Sequence, residues 1–239
     1  MYVLNVRTRG GHVLKYSVFT ILCPDDIRQK VDQNMTPHLN LQEWFGQIDI
    51  YLFDQLLKGR FDPRMRVLDA GCGGGRNLVY FLRCGYDVCG VDLSTEAIAH
   101  VRALAAGLAP NLPADNFRVE AVEGMSFADA VFDVVISSAV LHFARDEEHW
   151  HGMVAEMWRV LKPGGVFFAR LASSVGMEEQ IVRLGGRRYH LPDGSDRFLV
   201  DDRMLLAAGD SLGGELIEPL KTVVVRGLRS MSTWCLRKS

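Results

Sequence analysis

The stretch Arg66-Val67-Leu68-Asp69-Ala70-Gly71-Cys72-Gly73-Gly74-Gly75-Arg76-Asn77 decides how this chain folds. Val67 and Leu68 read as a short buried strand, the glycines as a turn, and Leu78, Val79, Phe81 and Leu82 as the apolar start of a helix. Glycines at such a junction let the backbone take positive φ and approach a ligand closely. The helix that follows turns its free N–H groups and positive dipole end toward whatever lies there. A strand–glycine–helix element of this sort is a nucleotide-cofactor cradle, and its spacing decides which cofactor it suits. A dinucleotide fingerprint needs Gly-x-Gly-x-x-Gly opening the helix. Counted from Gly71 the third position is Arg76, and counted from Gly73 it is Leu78, so both registers fail. A phosphate loop needs Gly-Lys-Ser/Thr, which this loop lacks.

The form D-A-G-C-G-G-G resembles motif I of the class I S-adenosylmethionine-dependent methyltransferases. There an acidic residue ends the first strand, and glycines pack beneath a cofactor that has no phosphates. More of that pattern follows in order. Tyr86-Asp87-Val88-Cys89-Gly90-Val91-Asp92 reads as the second strand, ending in an acid 23 positions after Asp69. A carboxylate there suits a ribose, because it accepts hydrogen bonds from both hydroxyls. Phe132 to Ser138 reads as the fourth strand, and Leu161-Lys162-Pro163-Gly164-Gly165-Val166-Phe167-Phe168-Ala169 as a turn entering the fifth. A glycine-rich turn alone is common punctuation. Four such motifs in order across about residues 60–172 are specific. G-C-G-G-G-R-N, with Tyr80 and Gly85-Tyr86-Asp87-Val88, resembles in style the tellurite-resistance-type members among the type 11/12-like methyltransferases.

The resemblance implies an α/β fold: a Rossmann-like, doubly wound, seven-stranded sheet, mostly parallel with an antiparallel C-terminal hairpin. Its cofactor would be S-adenosylmethionine. Carried over residue by residue, the cofactor set is Asp69, Gly71, Cys72, Gly73 and Asn77 on the glycine loop and Asp92 and Leu93 after strand two. Val122 and Glu123 follow strand three, and Ser137 ends strand four. Many relatives have Asp-Ala after strand three, with the carboxylate meeting the adenine amino group. Here Ala121 stands where that Asp would be, so Glu120 or Glu123 substitutes, or backbone groups hold the ring alone. His142 follows strand four at the carboxyl end of the sheet, where open α/β folds bind ligands. It is the catalytic candidate, as a general base or a wall of the acceptor pocket; the plainer alternative is a histidine that braces the loop.

Composition limits the other possibilities. The 239 residues suit one sizeable domain, with 48% hydrophobic and 23% charged residues, which is ordinary globular usage. A net charge of −2 argues against a strong nucleic-acid field. No apolar run reaches the ~18 residues of a membrane span. Cys23, Cys72, Cys84, Cys89 and Cys235 form no C-x-x-C pair and suggest reduced thiols in a cytoplasmic protein. No metal-ligand spacing is evident around His149 or His151.

Residues 1–26 match nothing in the class I pattern. They read as a signal peptide interrupted by Lys15, as a hairpin turning at Gly10-Gly11, or as an extension outside the core, the last being preferred. Residues 27–239 then form the methyltransferase domain, with 27–62 as a helical cap. Trp44, Phe45, Ile48, Tyr51, Leu52 and Leu56 recur at helical steps between Gln42 and Lys58, giving an apolar stripe whose plain reading is packing. Residues 173–198 read as a lid or acceptor insert. Arg187, Arg188 and Arg197 within it suit either an anionic substrate or, by preference, a solvated loop. The function expected is methyl transfer to a small-molecule acceptor by a monomer or homodimer, with no nucleic acid or membrane partner. The alternatives are a protein or RNA acceptor, or a catalytically silent cofactor-binding regulator.

Overall fold

The computed structural model describes residues 2–7, 13–18 and 40–239. Strand β1 (Tyr2–Arg7) pairs antiparallel with β2 (Val13–Val18) in a two-stranded sheet separate from the others. The Gly10-Gly11 turn, Cys23 and residues 27–39 of the expected 27–62 helical cap lie outside the described residues.

The apolar stripe between Gln42 and Lys58 forms two helices rather than one. Helix α1 (Leu41–Phe45) is capped by Asn40, and α2 (Ile50–Leu57) by Asp49. Between them Gly46 takes φ +61, and a Cβ there would lie 2.7 Å from Val79 Cγ2. The close approach to the helix beginning at Val79 therefore admits only glycine, and the left-handed turn ends α1.

Strands β3 (Arg66–Ala70), β4 (Asp87–Asp92), β5 (Phe117–Val119), β6 (Phe132–Ser138) and β7 (Leu161–Ala172) run parallel. Their spatial order is β5-β4-β3-β6-β7, so the chain reverses direction across the sheet at β3. Side chains alternate between two cores: Leu68 and Val135 face one layer of helices, and Val67, Val134 and Ile136 the other. Burial on both faces explains the nearly continuous apolar runs. Each such fully buried Leu or Val stabilises the fold by about 2 kcal/mol.

Crossovers are made by α3 (Val79–Arg83), α4 (Thr95–Leu108), α5 (Glu147–Val160) and α6 (Asp202–Ser211). Ser94, Asp146 and Asp201 cap the last three, each accepting from a backbone N–H in the first turn. Helix α3 begins at Val79, because Arg76 and Asn77 stay in the glycine turn and Leu78 N–H donates to Gly75 O.

The C-terminal strands complete the expected seven-stranded arrangement. Strand β13 (Arg229–Lys238) runs antiparallel to β7, and both β11 (Gly214–Leu216) and β12 (Lys221–Val225) pair with its other side. The sixth strand is thus one line broken in two. Ile217 N–H still reaches Cys235 O, and the break follows at Glu218 and Pro219. Proline offers no N–H to the ladder, and the Glu218 carboxylate turns instead to Gln55, Lys58 and Lys221. Between β7 and α6 the chain builds a small antiparallel sheet of β8 (Val182–Gly185), β9 (Arg188–His190) and β10 (Asp196–Phe198). No helix among the described residues is long and apolar enough to cross a membrane.

Candidate active site

Strand β3 lies at the reversal point, and the loops leaving β3, β4, β5 and β6 converge at its carboxyl end, where doubly wound sheets hold ligands. Three cavities of about 390 Å³ each open there and share walls. The first is lined by Gly71 to Asn77 with Gln47 and Ser138. The second is bordered by Gly71, Asp92, Leu93, Glu120, Val122 and Glu123. The third lies beyond Ala139 and Phe143 and contains His142. Gly71 joins the first to the second, Arg76 the first to the third, and Ala139 with Phe143 the second to the third.

Gly71 sits at the hinge of this arrangement. Its φ is +85, and a Cβ would lie 2.3 Å from Val140 Cγ2. Its N–H and that of Cys72 both donate to Val91 O, bending the chain sharply off β3. Cys72 faces inward with its sulfur under Gly90, and burial pushes its thiol well above the usual range. It packs the loop from below and is no nucleophile.

Asp92 at the end of β4 accepts from Gly73 N–H through Oδ2 (2.9 Å) and from Ser94 N–H through Oδ1 (2.9 Å). Each oxygen keeps capacity for another donor, and Asp92 lines the second cavity beside the exposed Leu93. Asp69 is different. Its carboxylate is fully buried behind the glycine loop, and neither oxygen has a hydrogen-bond partner. Burial raises its pKa to about 7, Arg76 opposes the shift, and Asp92 adds to it. An unpartnered buried carboxylate is costly unless a cation answers it.

Asn77 is buried and its Oδ1 accepts Asp49 N–H at 3.0 Å, which ties the start of α2 to the glycine loop. Asp49 is a hub that sequence reasoning missed. Its carboxylate accepts from Tyr51 N–H (2.9 Å) and Arg170 (2.6 Å), and lies 4.0 Å from Arg76. Only its capping position, two residues before Tyr51, marked it in the sequence.

Below strand β5 the two candidate glutamates diverge. Glu120 binds Ser126 through both its N–H and its hydroxyl. Glu123 meets His149 Nε2 at 3.0 Å, while His149 Nδ1 accepts Arg145 N–H at 3.1 Å. With Nδ1 accepting, the ring proton sits on Nε2 and is donated to Glu123. Val122 is buried at the wall of the same cavity.

At the end of β6 the pleat decides which serine faces the cleft. Ser137 is fully buried with its hydroxyl unpartnered, and it lines none of the three cavities. Ser138 lines the first cavity and accepts from Arg76 at 3.0 Å. A one-residue step in a strand moves a side chain to the other face, so the cleft-facing hydroxyl is that of Ser138. The next residue, Ala139, takes φ +65. That left-handed conformation costs roughly 1–2 kcal/mol in a non-glycine residue.

His142 projects into the third cavity. It is 8% exposed, and its Nδ1 has no hydrogen-bond partner. Burial, and next Arg197, push its pKa down to about 4, with Asp193 opposing. It is therefore a neutral imidazole at pH 7. Of the three insert arginines, Arg187 pairs with Asp201 and Glu147, Arg188 donates to Ala144 O, and Arg197 lines the cavity. No group of three His, Cys, Asp or Glu among the described residues is arranged to hold a metal ion.

Comparison with known proteins agrees with this geometry. A family model described as "Methyltransferase domain" matches residues 68–169. An uncharacterized methyltransferase of Synechocystis sp. is 32% identical over 105 residues, covering 44% of this chain and 46% of that protein. A malonyl-[acyl-carrier protein] O-methyltransferase of Erwinia billingiae is 29% identical over 203 residues, covering 83% and 73%. The crystal structure of a S-adenosylmethionine-dependent methyltransferase from Methanosarcina mazei superposes with a TM-score of 0.63 at 20% identity, covering 77% of this chain and 97% of that one. The chain spans less than half the length of several of the curated relatives it matches.

Proposed function

We propose that this chain, a class I S-adenosylmethionine-dependent methyltransferase through its matched domain at residues 68–169, transfers a methyl group to a small-molecule acceptor by in-line displacement. The observation that carries this reading is the continuity of the glycine-loop cleft with a separate cavity beyond Ala139, one for cofactor and one for acceptor. When bound, the cofactor supplies an activated methyl on a sulfonium.

The residues of the cleft fit that group. Gly71 and Gly73 let the backbone lie beneath its amino-acid end, and the charge of Asp69, buried behind that loop rather than at the cleft surface, favours its ammonium. Asp92 accepts the ribose hydroxyls. Leu93 and Val122 flank the adenine, and Glu123, oriented by His149, accepts its amino group in place of the Asp absent at Ala121. Cys72 and Asn77 support the loop from behind. Because the methyl is already activated, the chain's main task is alignment and water exclusion. His142 contributes a neutral hydrogen-bonding group at the acceptor; with a conjugate acid near 4 it is a weak base for a hydroxyl.

The relatives named as O-methyltransferases support an oxygen acceptor. The test is incubation of the purified chain with methyl-labelled cofactor and a metabolite extract. Label in small molecules is the expected result. Label in precipitable material would point to a macromolecular acceptor, and cofactor binding with no labelled product in any fraction to a silent regulator.

A further inference from the structure

We propose that the third cavity takes a carboxylate-bearing small molecule with an apolar body, the carboxylate being recognised by Arg197 and Arg229; the proposal rests on the methyltransferase reading above. Four arginines line this cavity: Arg76, Arg170, Arg197 and Arg229. They fall into two pairs. Arg170 and Arg76 are answered by the buried Asp49, Arg170 at 2.6 Å and Arg76 at 4.0 Å. Arg170 is also held over the Tyr51 ring at 4.8 Å. That pair is held in place by the fold, with Arg170 tightly paired.

Arg197 and Arg229 make no close ion pair among the described residues, and the acid whose charge they act on is Asp193. Arg197 is oriented without a carboxylate, stacked over Phe143 at 4.9 Å and donating to the Asp196 backbone oxygen at 2.8 Å. Asp193 is the acid at this wall: its Oδ1 accepts from Ser195 N–H and hydroxyl, and these bonds together with the charges of Arg197 and Arg229 hold it below the usual carboxylate range. Two guanidiniums against one acid leave the cavity with unanswered positive charge. In the same cavity, His142 is 8% exposed with an unpartnered Nδ1. Its ring presents a polar atom without adding charge.

The remaining walls are apolar: Ala172, Leu191 and Met231. A pocket of this size, with convergent charged groups beside an apolar patch, suits a small anionic ligand. A guanidinium fork matches a carboxylate geometrically, and such charge-assisted bonds are about twice as strong as neutral ones. Arg197 lies on β10 and Arg229 opens β13, so two segments distant in sequence meet around one anion.

The experiment uses the full chain saturated with S-adenosylhomocysteine. Aromatic and branched aliphatic monocarboxylates of six to ten carbons are titrated by calorimetry beside their primary amides and their phosphonate analogues. At least one acid is expected to bind, about tenfold or more tighter than its amide. The double variant Arg197→Gln/Arg229→Gln should erase that preference while leaving S-adenosylhomocysteine affinity and melting temperature unchanged. Acids and amides binding alike, no acid binding at all, or an acid preference that survives in the double variant would each overturn the proposal. A phosphonate consistently tighter than its acid would overturn the carboxylate assignment. Failure to bind S-adenosylhomocysteine would instead strike at the cofactor reading, and is seen before any acid is added.

Discussion

The glycine-loop side and the arginine-lined side of the cleft are built by different means. The first is made of backbone: the turn at Gly71, the Gly73 N–H held by Asp92, and the strand ends of β3 and β4. It is drawn from a short run of sequence. The second is made of long side chains delivered from far apart, with Asp49, Arg76, His142, Arg170, Arg197 and Arg229 meeting around one space. The first side should therefore respond to substitution in an all-or-none way. The second should respond by degrees, changing selectivity before it loses function.

Replacing Gly71 tests that contrast most severely. Gly71→Ala forces a side chain into φ +85 and puts its Cβ 2.3 Å from Val140 Cγ2. Left-handed strain and overpacking together should destabilise the protein by roughly 2–5 kcal/mol. Cofactor binding should be lost by calorimetry. A variant that kept native cofactor affinity would mean the backbone turn is not the cradle.

Next is the pH dependence of cofactor binding through Asp69. Its folded pKa is raised to about 7 from 3.8, so the carboxyl is protonated over most of the acid range. The stability this gives the free protein is fully present below about 3.8 and is lost as pH rises through about 7. A cationic ligand favours the ionised form, so binding at pH 5–6 should release close to one proton. Affinity should then rise by up to about tenfold per pH unit before levelling off near 7. Calorimetry in buffers of different ionisation heat reads the proton directly. Asp69→Asn should abolish the pH dependence, and a wild-type affinity flat from pH 5 to 8 would remove Asp69 from the site.

Asp92→Ala should cost on the order of 1.5–3 kcal/mol in cofactor affinity if the carboxylate holds the ribose. Two backbone N–H groups, of Gly73 and Ser94, would lose their acceptor at the same time. Asp92→Asn separates the two effects, because it keeps an acceptor for one N–H. Equal affinity in wild type and both variants would sink the ribose assignment.

The same contrast explains what the amino-acid sequence made legible. The strands, the turn and the acid after β4 follow from local patterns, glycine spacing and two-sided burial, and all are found close to where those patterns put them. Boundaries moved where a contact from elsewhere intervened: Gly46 against Val79 splits a helix, and Pro219 splits a strand. Ser138 rather than Ser137 faces the cleft because a one-residue difference in strand phase is decided by β6 pairing with β7. The arginine-lined side was largely illegible. Arg170 sits in the middle of an apolar strand and Asp49 inside an apolar stripe, and only the fold brings them within 2.6 Å. Arg197 could not be told from the neighbouring Arg187 and Arg188 until the insert's sheet directed one of them inward.

The smallest effect expected on turnover is that of His142→Asn, and it sharpens the comparison most finely. A histidine at its ordinary value would act as base with an ascending limb in the pH–rate profile near 6.5, and its loss would cost roughly 10²–10⁴-fold in kcat. Here burial and Arg197 push the imidazole down to about 4, so it stays neutral across the working range and accepts a proton reluctantly. The expected outcome is a kcat within about tenfold of wild type, a raised acceptor KM, unchanged cofactor affinity, and no limb at 6.5 to lose. Stability provides an independent reading. Because the folded value lies below the ordinary 6.5, stability is full above that pH and falls as pH drops toward 4, by on the order of 3 kcal/mol. His142→Asn should flatten that part of the acid-unfolding curve, whatever its effect on turnover. A variant that instead loses 10²-fold or more in kcat, together with a wild-type limb near 6.5, would show that the imidazole regains an ordinary basicity when acceptor fills the cavity, and would make it the base.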